Sequence, residues 1–189
     1  MDSLVNRYAL GLFSIAIEEN KILEYKNSIK MLKEIISNNN ELLHLFSSCF
    51  ILQEEKEDVI NKIFVDFDEY IINFVKIIVL NKRTNQMIEI FNEFNKMCNT
   101  RLNIKEGIIY STEKLTSQDI NKVEKKFTSL LSCEVELENL IDEKLIGGYK
   151  VVIEDKVYDG SIKNKLEFMK LSLKQGGLKW ILKQMKLLH

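Results

Sequence analysis

Up to about residue 103 this chain carries a single glycine, Gly11, and no proline, while apolar side chains recur every three or four positions. Proline and glycine are the strongest helix breakers, and a recurrence of three to four marks an amphipathic helix rather than a strand. The first half of the chain therefore has little choice but to be helical. Its apolar periods predict six helices, near 3–18, 21–37, 40–47, 53–65, 69–82 and 85–102. The separators are short and polar: Glu19-Asn20, Asn38 to Asn40, Ser47-Ser48, Asp66 to Asp68 and Thr84-Asn85. Links of that length imply an antiparallel six-helix bundle.

The pattern changes between Arg101 and Glu106. Gly107 to Thr112 reads as a strand. Thr116-Ser-Gln-Asp119 resembles a capping box, with Asp in place of the usual Glu, and opens a helix to about Leu131. Cys133 to Glu138 alternates polar and apolar and predicts a half-exposed strand. Tyr149 to Glu154 and Val157-Tyr158 are β-rich on either side of Asp155-Lys156, which predicts a hairpin. Asp159-Gly160-Ser161 then offers a turn glycine and a helix N-cap before a final apolar-periodic run. The order β-α-β-β-β-α indicates a small α+β domain. The expected fold is thus two-domain: an all-α six-helix N-terminal bundle over 1–105 and a small α+β C-terminal domain over 106–175. A basic amphipathic extension follows over 176–189.

Several functional classes are excluded. The 189 residues are 46% hydrophobic with a net charge of −1, so no global field favours nucleic acid. Cys49, Cys98 and Cys133 are odd in number and widely spaced, which argues against a disulfide framework and for a reducing compartment. The start, Met1 to Arg7, lacks the charged and apolar regions of a signal peptide, and Ile77 to Leu80 is far too short to span a bilayer. His44 and His189, the only histidines, have no second ligand at metal spacing. Gly147-Gly148 is not a phosphate loop, since neither GxxxxGK[ST] nor GxGxxG occurs. No nucleophile elbow, zinc-protease motif or supported Cys/His pair is present. No catalytic residue, cofactor or metal is therefore expected, and the protein is not expected to be an enzyme.

Two helices are more apolar than a bundle needs. On 3–18 the apolar positions spread over roughly 220–240° of the circumference, about twice the stripe a one-sided helix requires. On 69–82 only Asn73 and Lys76 are plainly polar. Either these are central helices buried all round, or they line an apolar groove that accepts a partner helix. The tail poses a similar choice. Lys170 to His189 holds five lysines and no acids, with Leu178, Ile181, Leu182, Met185 and Leu188 as a helical stripe. Such a helix packs on its own domain, on a partner helix or on an anionic membrane.

Arg7-Tyr-Ala-Leu-Gly-Leu-Phe-Ser-Ile-Ala16, Asn81-Lys-Arg83, Leu115-Thr116, Asp142 to Gly148 and Val157-Tyr-Asp-Gly-Ser-Ile162 together resemble the delta subunit of F-type ATP synthases. Its mitochondrial counterpart is the oligomycin-sensitivity-conferring protein. The strongest part of the resemblance is the segment carrying Gly147, Gly148, Asp159, Gly160 and Ser161. Lys82 and Thr84 depart from the family's common Gly and Leu, and 176–189 extends beyond its usual end. The resemblance implies a non-catalytic stator subunit with a six-helix bundle and a small C-terminal domain. It implies that the first and fifth helices grip the N-terminal helix of an alpha subunit. Tyr8, Gly11, Leu12 and Ile15 would form one wall of that groove, and Phe74, Ile77 and Ile78 the other. The C-terminal domain would hold the C-terminal region of the b-subunit stalk. Neither nucleic acid nor nucleotide would be bound directly. The protein would sit peripherally on the cytoplasmic face of a bacterial plasma membrane, associated through the complex. An unrelated helix-binding adaptor is the rival reading.

Overall fold

A computed structural model describes residues 3–174. The basic stripe of the expected extension, 176–189, lies outside the described residues. Two compact units divide between Leu102 and Asn103.

The first unit is helical: α1 (Ser3–Glu18), α2 (Ile22–Asn38), α3 (Asn40–Ser47), α4 (Gln53–Ile63), α5 (Glu69–Leu80) and α6 (Met87–Leu102). The last helix starts two residues later than its apolar period suggests, because a single 3-10 turn, Thr84–Gln86, precedes it. The stops have local causes. Asn20 and Lys82 adopt left-handed backbone, with φ of 56° and 57°, and end the helices before them. One apolar cluster runs through the unit. In α1 the buried positions are Val5, Ala9, Leu12 and Ala16, at spacings of four, three and four, and this stripe packs chiefly against α6. The two alanines keep that face thin, and the space is taken by Phe91 and Phe94 of α6, both fully buried. Lys56 of α4 is buried and donates to the carbonyls of Phe46 and Ser48 at 2.9 and 2.6 Å. It thereby satisfies carbonyls that the end of α3 leaves free.

The second unit is α+β: β1 (Ile104–Ser111), α7 (Ser117–Leu131), β2 (Glu134–Ile141), β3 (Tyr149–Ile153), β4 (Lys156–Asp159) and α8 (Ile162–Lys174). The sheet is mixed, in the order β2-β1-β3-β4. β1 and β2 are parallel and joined through α7, while β1–β3 and β3–β4 are antiparallel. Val123 and Phe127 of α7 cover Ile109, Val135, Leu137, Val151 and Ile153. Gly107 lies between Leu137 and Ile153 in register, and a Cβ there would meet the Val152 carbonyl oxygen at 2.7 Å. A side chain is missing at this point so that its neighbours can close over the strand.

Three strand boundaries differ from the sequence expectation. β1 begins three residues earlier, at Ile104, because Ile104 is buried and pairs with Glu134. β2 runs on to Ile141, although its alternation ends at Glu138. The backbone ladder to Tyr110 and Ser111 carries it further. The hairpin breaks at Glu154-Asp155 rather than Asp155-Lys156, since Lys156 pairs with buried Ile153 and Glu154 takes the left-handed conformation, φ 53°. The start of α7 is capped by Thr116, whose hydroxyl oxygen accepts from the Asp119 amide at 3.2 Å. Asp119 does not reach back to the cap's backbone. It accepts from the Thr116 hydroxyl at 2.6 Å and from Lys122.

Candidate partner-binding groove

A groove of about 600 Å³ lies between α1 and α5, lined by Leu4, Arg7, Tyr8, Gly11, Leu12, Ile15, Tyr70, Asn73, Phe74 and Ile77. Each wall is one helical face. On α5 the lining residues fall at spacings of three, one and three, so about 100° per residue keeps them within one sector. The floor is firm: Leu12 and Phe74 are only 1% and 8% exposed. Behind it the rings of Phe74 and Phe91 lie with centroids 6.4 Å apart. The rim is open, with Tyr70 and Ile77 both 47% exposed.

Gly11 faces this groove with nothing within 4 Å of where a Cβ would stand. Its absent side chain is therefore required by no neighbour inside the unit. A glycine in mid-helix costs stability relative to alanine, and no contact inside the unit accounts for it.

The position of α5 is fixed at its N-terminus by Asp68. Its Oδ1 accepts from the Tyr70 amide at 3.0 Å, which caps the helix. The same carboxylate accepts from the Tyr25 hydroxyl and from Lys21 Nζ, each at 3.0 Å. Both partners lie on or beside the start of α2, so one residue joins two helix ends. Burial alone would raise the Asp68 pKa, but the bonds from Lys21, the Tyr70 amide and Tyr25 outweigh it and hold the carboxyl below its ordinary 3.8. The Tyr25 hydroxyl is shifted upward, first by burial and then by its bond to Asp68.

Of the seven residues that the family resemblance places in a partner groove, six line this one: Tyr8, Gly11, Leu12, Ile15, Phe74 and Ile77. Ile78 does not. It is 0% exposed and belongs to the core with Ile71 and Val75. One step along the helix turns it about 100° from Ile77. Leu4, Arg7, Tyr70 and Asn73 also line the groove and were not among those seven. Three-and-four spacing from Tyr8, Gly11 and Ile77 reaches all four.

In the second unit, Gly147, Gly148, Asp159, Gly160 and Ser161 form one knot of backbone. The amides of Gly160 and Ile162 donate to the carbonyls of Tyr149 and Gly147, both at 3.0 Å. Asp159 Oδ1 accepts from the Ser161 amide at 2.9 Å, and Ser161 Oγ accepts from the Asn164 amide at 3.2 Å, capping α8. Gly148 has φ 78°, and a Cβ there would stand 2.7 Å from the Gly160 carbonyl oxygen. These five residues set the angle at which the sheet feeds α8. Leu166, Met169 and Leu171 stand exposed on that helix.

Among the described residues no group of acids, histidines or cysteines could hold a metal ion, and no helix is long and apolar enough to cross a membrane. All three cysteines are free, and burial pushes the Cys98 thiol up to about 12.

Comparison with known proteins agrees across nearly the whole chain. The family model for the ATP synthase delta (OSCP) subunit matches residues 4–173. The ATP synthase subunit delta of Mycoplasma capricolum is 39% identical over 174 residues, covering 89% of this chain and 95% of the relative. That of Mycoplasma mobile is 39% identical over 167 residues, 88% of this chain and 93% of the relative. The Bacillus mycoides protein of that name is 29% identical over 164 residues, 86% and 91% of the two chains. In structure, a chain of the Toxoplasma gondii mitochondrial ATP synthase hexamer superposes with a TM-score of 0.65 at 18% identity, covering 90% of this chain and 97% of its own.

Proposed function

The chain belongs to the ATP synthase delta (OSCP) subunit family, and from that premise we propose that the groove between α1 and α5 grips the N-terminal helix of an alpha subunit. The protein is a non-catalytic subunit of F-type ATP synthase, a component of its peripheral stalk. The family match sets aside an unrelated adaptor. It works inside a membrane-associated complex by binding other subunits.

The observation that carries the proposal is the groove itself. It is long enough in sequence, from Leu4 to Ile15 on one wall, to follow about three turns of a docked helix. Its lining is mostly apolar, and its floor rests on a packed aromatic pair. An amphipathic helix laid in such a trough buries its apolar face, and slow dissociation follows from apolar contact more than from exposed ion pairs. A tether that holds a catalytic head against a turning rotor needs that slow release. We read residues 1–105 as a single six-helix bundle for this task and 106–175 as the domain that holds the C-terminal region of the b-subunit stalk. In that arrangement the protein sits peripherally at the cytoplasmic face of a bacterial plasma membrane. Two contacts within one assembly reinforce each other through effective concentration.

The test is titration of the intact protein with a peptide of the alpha subunit's N-terminal segment, followed by calorimetry. Saturable binding that Tyr8→Ala and Ile77→Asp weaken, with unchanged circular dichroism, supports the groove. Absence of binding to the intact protein sinks it.

A further inference from the structure

We infer that Arg7 and Glu18 fix the direction in which the partner helix lies in the groove, and that this helix carries an acidic and a basic side chain about three turns apart. The inference rests on the groove reading above and adds the charge pattern of the occupant. Arg7 is the one charged residue among the ten that line the groove. Beyond the lining, the row Leu4-Tyr8-Gly11-Ile15 steps by four, three and four, and its next step of three reaches Glu18. At about 100° and 1.5 Å per residue, the eleven residues from Arg7 to Glu18 return to within about 20° of the same direction, about 16 Å further along the axis. Both therefore project from the same side of α1, with opposite signs, Arg7 within the groove lining and Glu18 one step past its last α1 residue, Ile15. Both are exposed, and neither makes an ion pair or side-chain hydrogen bond among the described residues. The facing wall, Tyr70, Asn73, Phe74 and Ile77, carries no charge that would blur the pattern.

Exposed pairs of this kind add little affinity, but they decide between orientations. A helix docked one way sets its acid against Arg7 and its base against Glu18. Reversed, it sets like charges together at both ends, and that mismatch is what rejects it. The apolar lining holds the partner, and the two α1 charges choose its polarity.

The test uses the intact protein and the alpha N-terminal peptide, together with a sign-inverted peptide in which acids and lysines or arginines are exchanged. At low salt, Arg7→Glu and Glu18→Lys should each weaken the native peptide by about two- to fivefold. The loss should fade above about 0.5 M salt, where exposed charges are screened. The sign-inverted peptide should prefer the Arg7→Glu, Glu18→Lys double variant over the wild type. Equal affinities for all variants at every salt concentration overturn the inference while leaving the groove intact. So does a loss that salt does not reduce, since that reports damage to packing. If the wild type binds neither peptide, the groove reading fails and takes this inference with it.

Discussion

In the helical unit, Tyr70 and Ile77 stand half-exposed above a trough whose floor, Leu12 and Phe74, is almost fully covered. In the C-terminal unit the exposed apolar side chains sit outward on a loop, an edge strand and a helix, with Ile146 77%, Val157 61% and Leu166 54% exposed. The difference lies in what surrounds the exposed residue. A trough between α1 and α5 is shaped before any partner arrives, because α6 supports its floor and Asp68 holds one of its walls. On α8, Leu166 and Met169 face solvent from the helix surface itself. In the first unit exposed apolar groups rim a recess with a packed floor, whereas in the second they stand along an edge strand, a loop and a helix face.

Adjacent residues on α5 give the sharpest way to break that comparison. Ile78 is core and Ile77 is rim. Ile78→Ala should lower the stability of the protein by about 2–5 kcal/mol, the usual cost of emptying a buried isoleucine site. Ile77→Ala should change stability by less than about 0.5 kcal/mol, as surface changes do, while weakening the alpha peptide. Denaturant unfolding and peptide titration of both variants separate the roles. Equal stability losses would mean that the rim is core after all and that the trough is closed.

The C-terminal unit has its own tight point. Gly107→Ala would press a methyl group against the Val152 carbonyl and the side chains of Ile153 and Leu137, all within 3 Å. The expected cost is about 1–3 kcal/mol. Hydrogen exchange should locate the loss in β1, β2 and β3, with the helical unit keeping its protection. Loss of protection spread over both units would show that the two are one cooperative body.

Asp68 supports the groove by charge and should give it a pH dependence. Its folded carboxyl lies below the ordinary 3.8, so the folded protein binds fewer protons than the unfolded chain in acid. The contribution is therefore fully present above about pH 4 and is lost as pH falls through the folded value. Asp68→Ala removes a helix cap and should cost about 1–2 kcal/mol at neutral pH. The gap between wild type and variant should narrow from pH 5 toward pH 2. A constant gap across that range would place the cost in the lost packing rather than in the carboxylate.

Much of this was legible in the chain. Periodicity and the scarcity of glycine specify the helices of the first unit, and the stretch around Gly147 to Ser161 specifies both a turn and a family. Less legible was which way each α5 side chain turns. The helix is apolar nearly all round, so composition alone could not separate Ile77 from Ile78, and only the angle between them does. The strand ends were obscured for another reason. β2 continues through Leu140 and Ile141 because β1 offers backbone partners, which no local pattern encodes. The Asp68 hub joins residues more than forty positions apart, and a loop aspartate before a helix reads in sequence only as a cap.

Gly11 carries the smallest expected effect and the most specific one. Nothing within the protein occupies the space its side chain would fill, and it sits in the middle of α1. Alanine there should stabilise the free protein by about 0.5–1 kcal/mol, because glycine loses more backbone entropy in a helix. If the trough receives a closely packed helix, the same methyl group should hold that helix away and weaken the alpha peptide. Thermal melting would then rise while affinity falls, a combination that damage to the fold cannot produce. If melting rises and affinity is unchanged, no occupant comes near Gly11, and the receiving surface must lie further along α1 or α5.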